Sequence, residues 1–227
     1  MFFSPSNMST FMQCPLRFYG QSVSREMPWK PSRAKSRGTK IHSDIEKCLR
    51  LGWQEQIEWD SDVDLAYVRA RVDETFDRRN SGYLLEVEKE MAVDQKGLPC
   101  TWWADNGLLR AKADAVLTPI DLPEDMPVYL IDIKTGRRWD EDDFQLRVEC
   151  LLAHIITGRP VTCYEYWYVD EGETFSGYID FRNGLTTVQD IYDLVREMLL
   201  ALRNNDFPAR KNKFCKWCDW HGKPQCR

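Results

Sequence analysis

Apolar residues recur at helical spacing along the first third of the chain. This spacing predicts helices over about 7–19, 39–51 and 62–79. In the second of these helices, Ile41, Ile45 and Leu49 form one apolar stripe. The segment 27–38 between the first two helices carries two prolines and several basic residues, which predicts a loop.

Alternation of apolar and polar residues begins near residue 84 and predicts β-strands. The first expected strands are 84–93, 99–104 and 108–117, with Asn106-Gly107 as a hairpin turn between the last two. Further strands are predicted at 128–134, 161–169 and 174–181, and helices at about 140–157 and 185–203. This order indicates an α/β fold in which helices flank a mixed central β-sheet.

The composition fits one folded domain. The 227 residues are 43% hydrophobic and 12% aromatic, which is enough to build a sizeable core. We find no apolar run of the ~20 residues that a membrane helix needs and no signal peptide, so we expect a cytoplasmic protein without membrane contact. Its eight cysteines are then expected to be thiols or metal ligands rather than disulfides.

Charge is distributed unevenly along the chain. The net charge is −5, but residues 1–40 carry +6 and residues 203–227 carry +5, so the remainder is strongly acidic. Basic ends around an acidic centre suit a protein that holds phosphates at its rim and metal ions in its middle. Such charge runs are also common on ordinary solvated surfaces.

Two predicted strands carry charged residues among apolar neighbours. Asp132 and Lys134 are two residues apart and therefore share a face, and Asp114 lies on the preceding strand with Ala113 and Ala115 expected to pack opposite it. If the strands pair, the three charged side chains converge. Two carboxylates would then offer the oxygen ligands that Mg²⁺ or Mn²⁺ prefers, and the lysine would stabilise negative charge on a phosphate. An isolated Asp-x-Lys is also found as an ion pair at strand ends.

Cysteines are concentrated at the end of the chain. Cys215, Cys218 and Cys226 form a C-x2-C-x7-C pattern, which suits a tetrahedral metal or an iron–sulfur cluster. These cysteines with His221 would make a local zinc site, whereas a 4Fe–4S cluster needs a fourth thiolate from elsewhere. The remaining cysteines except Cys14 lie in apolar patterns and are predicted to be core residues: Cys48, Cys100, Cys150 and Cys163.

A known family resembles this arrangement of motifs. The chain reads GTKIHSDIE, then LRAKADAV, then LIDIKTG, then FQLRVE, which place His42, Asp114, the Asp132–Lys134 pair and Gln145 in that order. The order resembles the RecB-type branch of the PD-(D/E)XK nuclease superfamily, from about residue 4 to the C-terminus. The resemblance implies a restriction-endonuclease-like core.

The resemblance also implies roles for these residues. His42, Asp114 and Asp132 would be ligands of Mg²⁺ or Mn²⁺, with the backbone carbonyl of Ile133 as a further possible ligand. Lys134 would be the catalytic lysine and Gln145 would position the site or the scissile strand. The family often has a tyrosine four residues after this glutamine, where the present chain has Glu149.

The two ends of the chain extend the resemblance. The segment CPLRFYG and the C-terminal cysteine triplet are similar to the iron–sulfur nucleases, which include AddB-type nuclease domains and the CRISPR-associated single-stranded DNA exonucleases. The resemblance implies a 4Fe–4S cluster held by Cys14, Cys215, Cys218 and Cys226. The expected organisation is one nuclease domain over 1–227, with cluster-bearing basic ends at 1–38 and 204–227 around a catalytic core at 39–203.

The function expected from this resemblance is hydrolysis of DNA. We expect a Mg²⁺- or Mn²⁺-dependent deoxyribonuclease, an exonuclease on single strands or DNA ends, with protein partners in a repair, recombination, CRISPR or phage DNA-processing system. The alternative is a non-catalytic DNA-binding or recombination-accessory module on the same fold, with a zinc-bound tail.

Overall fold

The fold centres on a mixed β-sheet. The computed structural model describes residues 2–27, 33–136, 143–183 and 188–226. Within them, the sheet contains β1 (Tyr83–Asp94), β2 (Gly107–Pro119), β3 (Val128–Lys134), β4 (Val161–Tyr168) and β5 (Glu173–Asp180), side by side in chain order. The β3–β4 pair is parallel and the other pairs are antiparallel, so the predicted mixed sheet flanked by helices is confirmed.

Helices cover both faces of this sheet. They are α1 (Pro5–Gln13), α2 (Pro15–Phe18), α3 (Arg33–Leu51), α4 (Leu65–Asn80), α5 (Phe144–Thr157) and α6 (Gln189–Asn204). Helices α3 and α4 share one hydrophobic core with the sheet, and α1, α5 and α6 share the other. We refer to these as the α3/α4 core and the α5 core. None of the described helices is long and apolar enough to span a bilayer.

The first predicted helix is divided at Cys14. Ser4 caps α1 and Pro5 starts it, but Cys14 is extended, with φ −164°, and Pro15 begins the short α2. A π-helical turn at Tyr19–Val23 continues α2. The residue before a proline avoids helical dihedrals, which explains the break. The break turns the Cys14 side chain out of the helical register.

One predicted loop and one predicted strand were wrong. Helix α3 begins at Arg33, so much of the predicted loop 27–38 is helical, while 28–32 lie outside the described residues. The segment 99–104 is not a strand, since Pro99 forms only an isolated bridge to Val93. Residues 95–106 instead form one long loop between β1 and β2, because the Asp94 carboxylate accepts hydrogen bonds from several of its N–H groups. The starts of the helices predicted at 140 and 185 also lie outside the described residues.

The core against which alternate residues of β1 and β2 pack changes at one point along these strands. Ala113 belongs to the α5 core and Ala115 to the α3/α4 core, so the prediction that both pack on one face was wrong. The cause lies on β1, where Glu88 has a left-handed backbone, with φ 59°. Glu88 stands between the residues paired with Ala113 and Ala115, and therefore opposite Asp114.

Strands β2 and β3 separate near this point. Their pairing ends at Ala115 with Ile131, and the earlier part of β2 is paired instead with Phe3. Phe3 donates a backbone hydrogen bond to Leu108 (2.7 Å) and accepts one from Arg110 (2.9 Å). A gap between the N-terminal segment and the end of β3 results, and it contains Asp114 and Asp132.

Candidate active site

Asp114 bridges the gap between the separating strands. Its Oδ2 accepts a hydrogen bond of 2.6 Å from the backbone N–H of Ile133 on β3. Because the antiparallel pairing ends at Ala115 and Ile131, the next residues in register are Asp114 and Asp132. Asp114 is contacted from α3 and Asp132 from α5, but both lie where this pairing stops. The structure therefore brings the two predicted carboxylates to the same end of the β2–β3 pair.

His42 reaches Asp114 from helix α3. Its Nδ1 lies 3.1 Å from Asp114 Oδ1. The apolar stripe of Ile41 and Ile45 is buried in the α3/α4 core, which fixes the helix against the sheet and directs His42 toward the gap. Burial lowers the pKa of His42, but the hydrogen bond and charge of Asp114 outweigh burial and leave that pKa raised.

Asp132 and Lys134 form an ion pair on the α5 side of the sheet. Lys134 Nζ lies 2.7 Å from Asp132 Oδ2 and 4.7 Å from the centre of the Tyr166 ring. Burial raises the pKa of Asp132 to about 6, against the opposing charge of Lys134. Burial lowers the pKa of Lys134, but the charge of Asp132 reverses this and raises it, so the lysine is held as a cation.

Gln145 connects the members of this pair. Its Oε1 accepts a hydrogen bond of 3.0 Å from Lys134, and its Nε2 donates one of 2.5 Å to Asp132 Oδ1. Gln145 lies in the first turn of α5, the helix that follows β3 and precedes β4 in the chain. A single amide thus fixes the relative orientation of the carboxylate and the ammonium group.

Glu149 is a site residue that motif reasoning did not assign. It lies one helical turn after Gln145, is 1% exposed, and its Oε1 accepts a hydrogen bond of 3.0 Å from Gln145 Nε2. Burial raises the pKa of Glu149 well above its usual value, and the charge of Asp132 adds to the effect. A charged residue four positions after Gln145, between the apolar residues Val148 and Cys150, was the signal in the sequence.

The side chains in the gap suit a hard cation. No three His, Cys, Asp or Glu side chains in the described parts of the chain already form a ready-made metal site. The donor types nevertheless suit Mg²⁺ or Mn²⁺, since Asp114 and Asp132 offer carboxylate oxygens and His42 contacts Asp114. Asp132 Oδ2 is buried and receives no well-directed hydrogen bond from the described residues, although Lys134 is nearby. Such an oxygen is a natural ligand for a cation.

A second concentration of ligand side chains lies where the chain ends meet. Cys14, Cys215, Cys218 and Cys226 line one cavity of about 460 Å³, and His221 lines it too. Backbone N–H groups donate to two of the sulfurs, from Arg210 to Cys14 (3.4 Å) and from Asn212 to Cys215 (3.2 Å). Burial raises the pKa of Cys226, and the three other cysteines raise it further.

The remaining cysteines divide into two groups. Cys48 and Cys150 are fully buried, as expected of core residues. Cys100 and Cys163 are only half-buried, so their prediction as core residues was wrong. Cys100 lies in the 95–106 loop, where no continuous strand carries it into the core. Cys163 lies near the start of β4, where burial is less complete than at Glu165 and Trp167 on the same face.

Known proteins provide an independent comparison. No curated protein matches the sequence. Similar solved structures include SSO0001, at 15% identity over 100% of this chain and 87% of that one, with a TM-score of 0.43. LHK-Exo in complex with dAMP is similar at 13% identity over 89% of this chain and 94% of that one, with a TM-score of 0.35. The profile of the PD-(D/E)XK nuclease superfamily matches residues 2–227, and the chain therefore belongs to that superfamily.

Proposed function

We propose that this nuclease is a Mg²⁺- or Mn²⁺-dependent deoxyribonuclease that acts as an exonuclease on single-stranded DNA or DNA ends. The observation that supports the proposal is the continuous set of contacts from His42 through Asp114 to β3, and from Asp132 and Lys134 to Gln145. These contacts bring the side chains of the proposed cation site close to the fixed positive charge of Lys134. The basic ends of the chain supply further charge for a polyanion.

Each residue of the gap has a role in this proposal. Asp114, Asp132 and His42 would hold the cation, with the backbone carbonyl of Ile133 as a further ligand. When bound, the cation supplies Lewis-acid polarisation of the phosphate and a water of lowered pKa. Lys134, fixed by Asp132 and Gln145, places its ammonium group where it stabilises the negative charge that develops on the phosphate. Gln145 is a positioning residue, since its contacts are to Lys134 and Asp132.

We assign the cavity at the chain ends to a 4Fe–4S cluster held by Cys14, Cys215, Cys218 and Cys226. The support is that Cys14 shares the cavity with the tail cysteines, and that N–H groups donate to two of the four sulfurs. With Cys14, the cavity has four cysteine thiolates, the number of ligands that a 4Fe–4S cluster needs. A zinc ion held by the tail cysteines and His221 is the competing assignment, because His221 lines the same cavity.

A degradation assay tests the proposed activity. We expect linear single-stranded DNA to be degraded with Mg²⁺ or Mn²⁺ and to persist with EDTA. A circular single strand serves as the matched substrate without ends, and it should survive when the linear strand is consumed. Cutting of the circle would contradict the exonuclease assignment. Binding without cleavage under any divalent cation would favour the non-catalytic module instead.

Substitutions at Glu149 test its control of Gln145. Glu149→Gln keeps an oxygen that accepts the Gln145 hydrogen bond and should retain most of the cleavage rate. Glu149→Leu removes the acceptor, and we expect a loss of about 10- to 100-fold, the range typical of outer partners of metal-site residues. Initial rates and melting temperatures of both variants are the measurement. Equal rates at equal folded fractions would show that Glu149 does not orient Gln145.

A further inference from the structure

Arg110 lies within a group of aromatic side chains on β2. Its guanidinium carbon is 4.9 Å from the ring centre of Phe2, 4.6 Å from that of Trp102 and 5.1 Å from that of Trp103. Its Nη1 also donates a hydrogen bond of 3.3 Å to the backbone oxygen of Trp102. We call these four residues the Arg110 cluster. The contacts hold the cation in a fixed orientation before any ligand arrives.

The cluster presents an aromatic surface to solvent. Trp103 is 78% exposed, although an indole of this size usually gains by being buried. Among the described residues, no carboxylate forms an ion pair with Arg110. The Arg110 cluster thus combines the open ring face of Trp103 with a cation whose charge is not neutralised by an acid in the described part of the chain. Proteins bind single-stranded nucleic acid by combining aromatic rings, on which bases stack, with positive charges that contact the phosphates.

The Arg110 cluster shares a face of β2 with Asp114. Ala111 and Ala113 are buried in the α5 core, so Arg110, Lys112 and Asp114 alternate onto the opposite face of β2. Arg110 precedes Asp114 by four residues, which corresponds to about 13 Å along a strand. This distance places the cluster a few nucleotides from a phosphate bound at Asp114.

We propose that the Arg110 cluster is a subsite that stacks one unpaired nucleobase of single-stranded DNA, with Trp103 providing the ring face and Arg110 facing the adjacent phosphate. The proposal rests on the proposed function, because it places the strand that the gap would cleave. An internal base pair of a duplex cannot use the subsite without opening, because both faces of each base are stacked on the neighbouring pairs. The subsite therefore favours single strands over duplexes.

Binding measurements without cleavage test the subsite directly. The probe is a short fluorescent oligothymidylate, its affinity measured by anisotropy in EDTA so that cleavage does not interfere. Trp103→Ala should weaken binding by about 5- to 100-fold, the range typical of losing one stacked base. Trp103→Phe should recover most of the loss. Leu98→Ala is the matched control, because Leu98 is 57% exposed in the same loop and has no ring.

A scan with abasic probes locates the stacked base. Each probe carries one abasic position, and one position should cost the wild-type protein about as much affinity as Trp103→Ala does. That penalty should vanish in Trp103→Ala, since the same contact cannot be lost twice. Unchanged affinity in Trp103→Ala, or an equal penalty in both proteins, would overturn the subsite. A change in oligomeric state alone would overturn it in favour of a protein-contact surface.

Failure of the subsite and failure of the proposed function are distinguishable. If linear DNA is degraded but Trp103→Ala binds the probe normally, the nuclease assignment stands and the subsite falls. If no cation supports cleavage but the abasic penalty depends on Trp103, the subsite stands as part of a DNA-binding module.

Discussion

Asp132→Ala is expected to abolish DNA cleavage, with a loss greater than about 10³-fold. This exceeds the ~10²–10³-fold lost with a single preorganised donor, because one substitution removes the proposed cation ligand and the partner of Lys134 together. Asp132 Oδ2 lies 2.7 Å from Lys134 Nζ, and Oδ1 accepts the hydrogen bond of Gln145. Without the carboxylate, both partners lose their orientation.

A substitution at a second buried carboxylate, Glu165, serves as the control that distinguishes a loss of catalysis from a loss of stability. Glu165 on β4 is paired with Arg78 and accepts a hydrogen bond of 2.9 Å from Trp167, and it lies in register with Ile131, next to Asp132. Glu165→Gln should lower the melting temperature, because it breaks a buried ion pair. It should still cleave DNA below that temperature. Full activity in folded Asp132→Ala would refute the assignment of the gap.

Alternation in the sequence was sufficient to place one half of the candidate site. Strand β3 has the bounds that its apolar run predicts, and a period of two puts Asp132 and Lys134 on one face. The structure brings them together, with Gln145 on the next helix reaching both. A short strand buried on both faces has little freedom of register, which is why this prediction needed no tertiary information.

Alternation was not sufficient to place the other half. A left-handed residue inside a strand usually calls for glycine or asparagine, and Glu88 gives no such signal. The exchange of faces between Ala113 and Ala115 depends on it, and so does the gap that Asp114 bridges. Backbone strain of this kind concentrates at functional sites, where surrounding contacts maintain it.

The aromatic loop shows a different limit. Trp102 and Trp103 have high strand propensity, and together with Thr101 they favour the strand predicted at 99–104. The Asp94 carboxylate instead binds the N–H groups of Lys96 and Leu98 and holds the segment as a loop. A side chain that satisfies the backbone locally competes with the β-ladder, and propensity alone does not report that competition.

The contact between the two ends of the chain could not be predicted from any local sequence pattern. Spacing identified three tail cysteines as ligand candidates, and only family resemblance added Cys14. In the structure, the tail docks on the α1–α2 junction through Arg210, which donates to the backbone oxygen of Met12 (2.5 Å), and Asn212, which donates to that of Gln13 (2.9 Å). Trp220 completes the contact by packing on Gly20, where an added Cβ would lie 2.7 Å from the ring.

Cys14→Ser is expected to remove the visible iron–sulfur absorbance of anaerobically purified protein and to lower its melting temperature by about 10 °C. At ~2–4 °C per kcal/mol for a chain of this size, that shift corresponds to about 3 kcal/mol of lost stability. The loss is expected because Cys14 is the proposed ligand that would join the N-terminal helices to the tail, so that the binding energy of the cluster would be partly folding energy. Both ends should loosen together, and limited proteolysis should cut near 12 and near 210.

Comparison of His221→Ala with Cys14→Ser decides between the two metal assignments, and two further variants serve as controls. Cys163→Ser is the matched control, because Cys163 is half-buried on β4 and does not line the cavity, and it should leave iron content unchanged. Asp132→Ala should keep its colour, since the gap at β2 and β3 is a separate site. His221→Ala should retain iron if four cysteines hold the cluster. If His221→Ala loses its metal while Cys14→Ser keeps it, the tail binds zinc through its own residues, because only a zinc site would need the imidazole and dispense with Cys14.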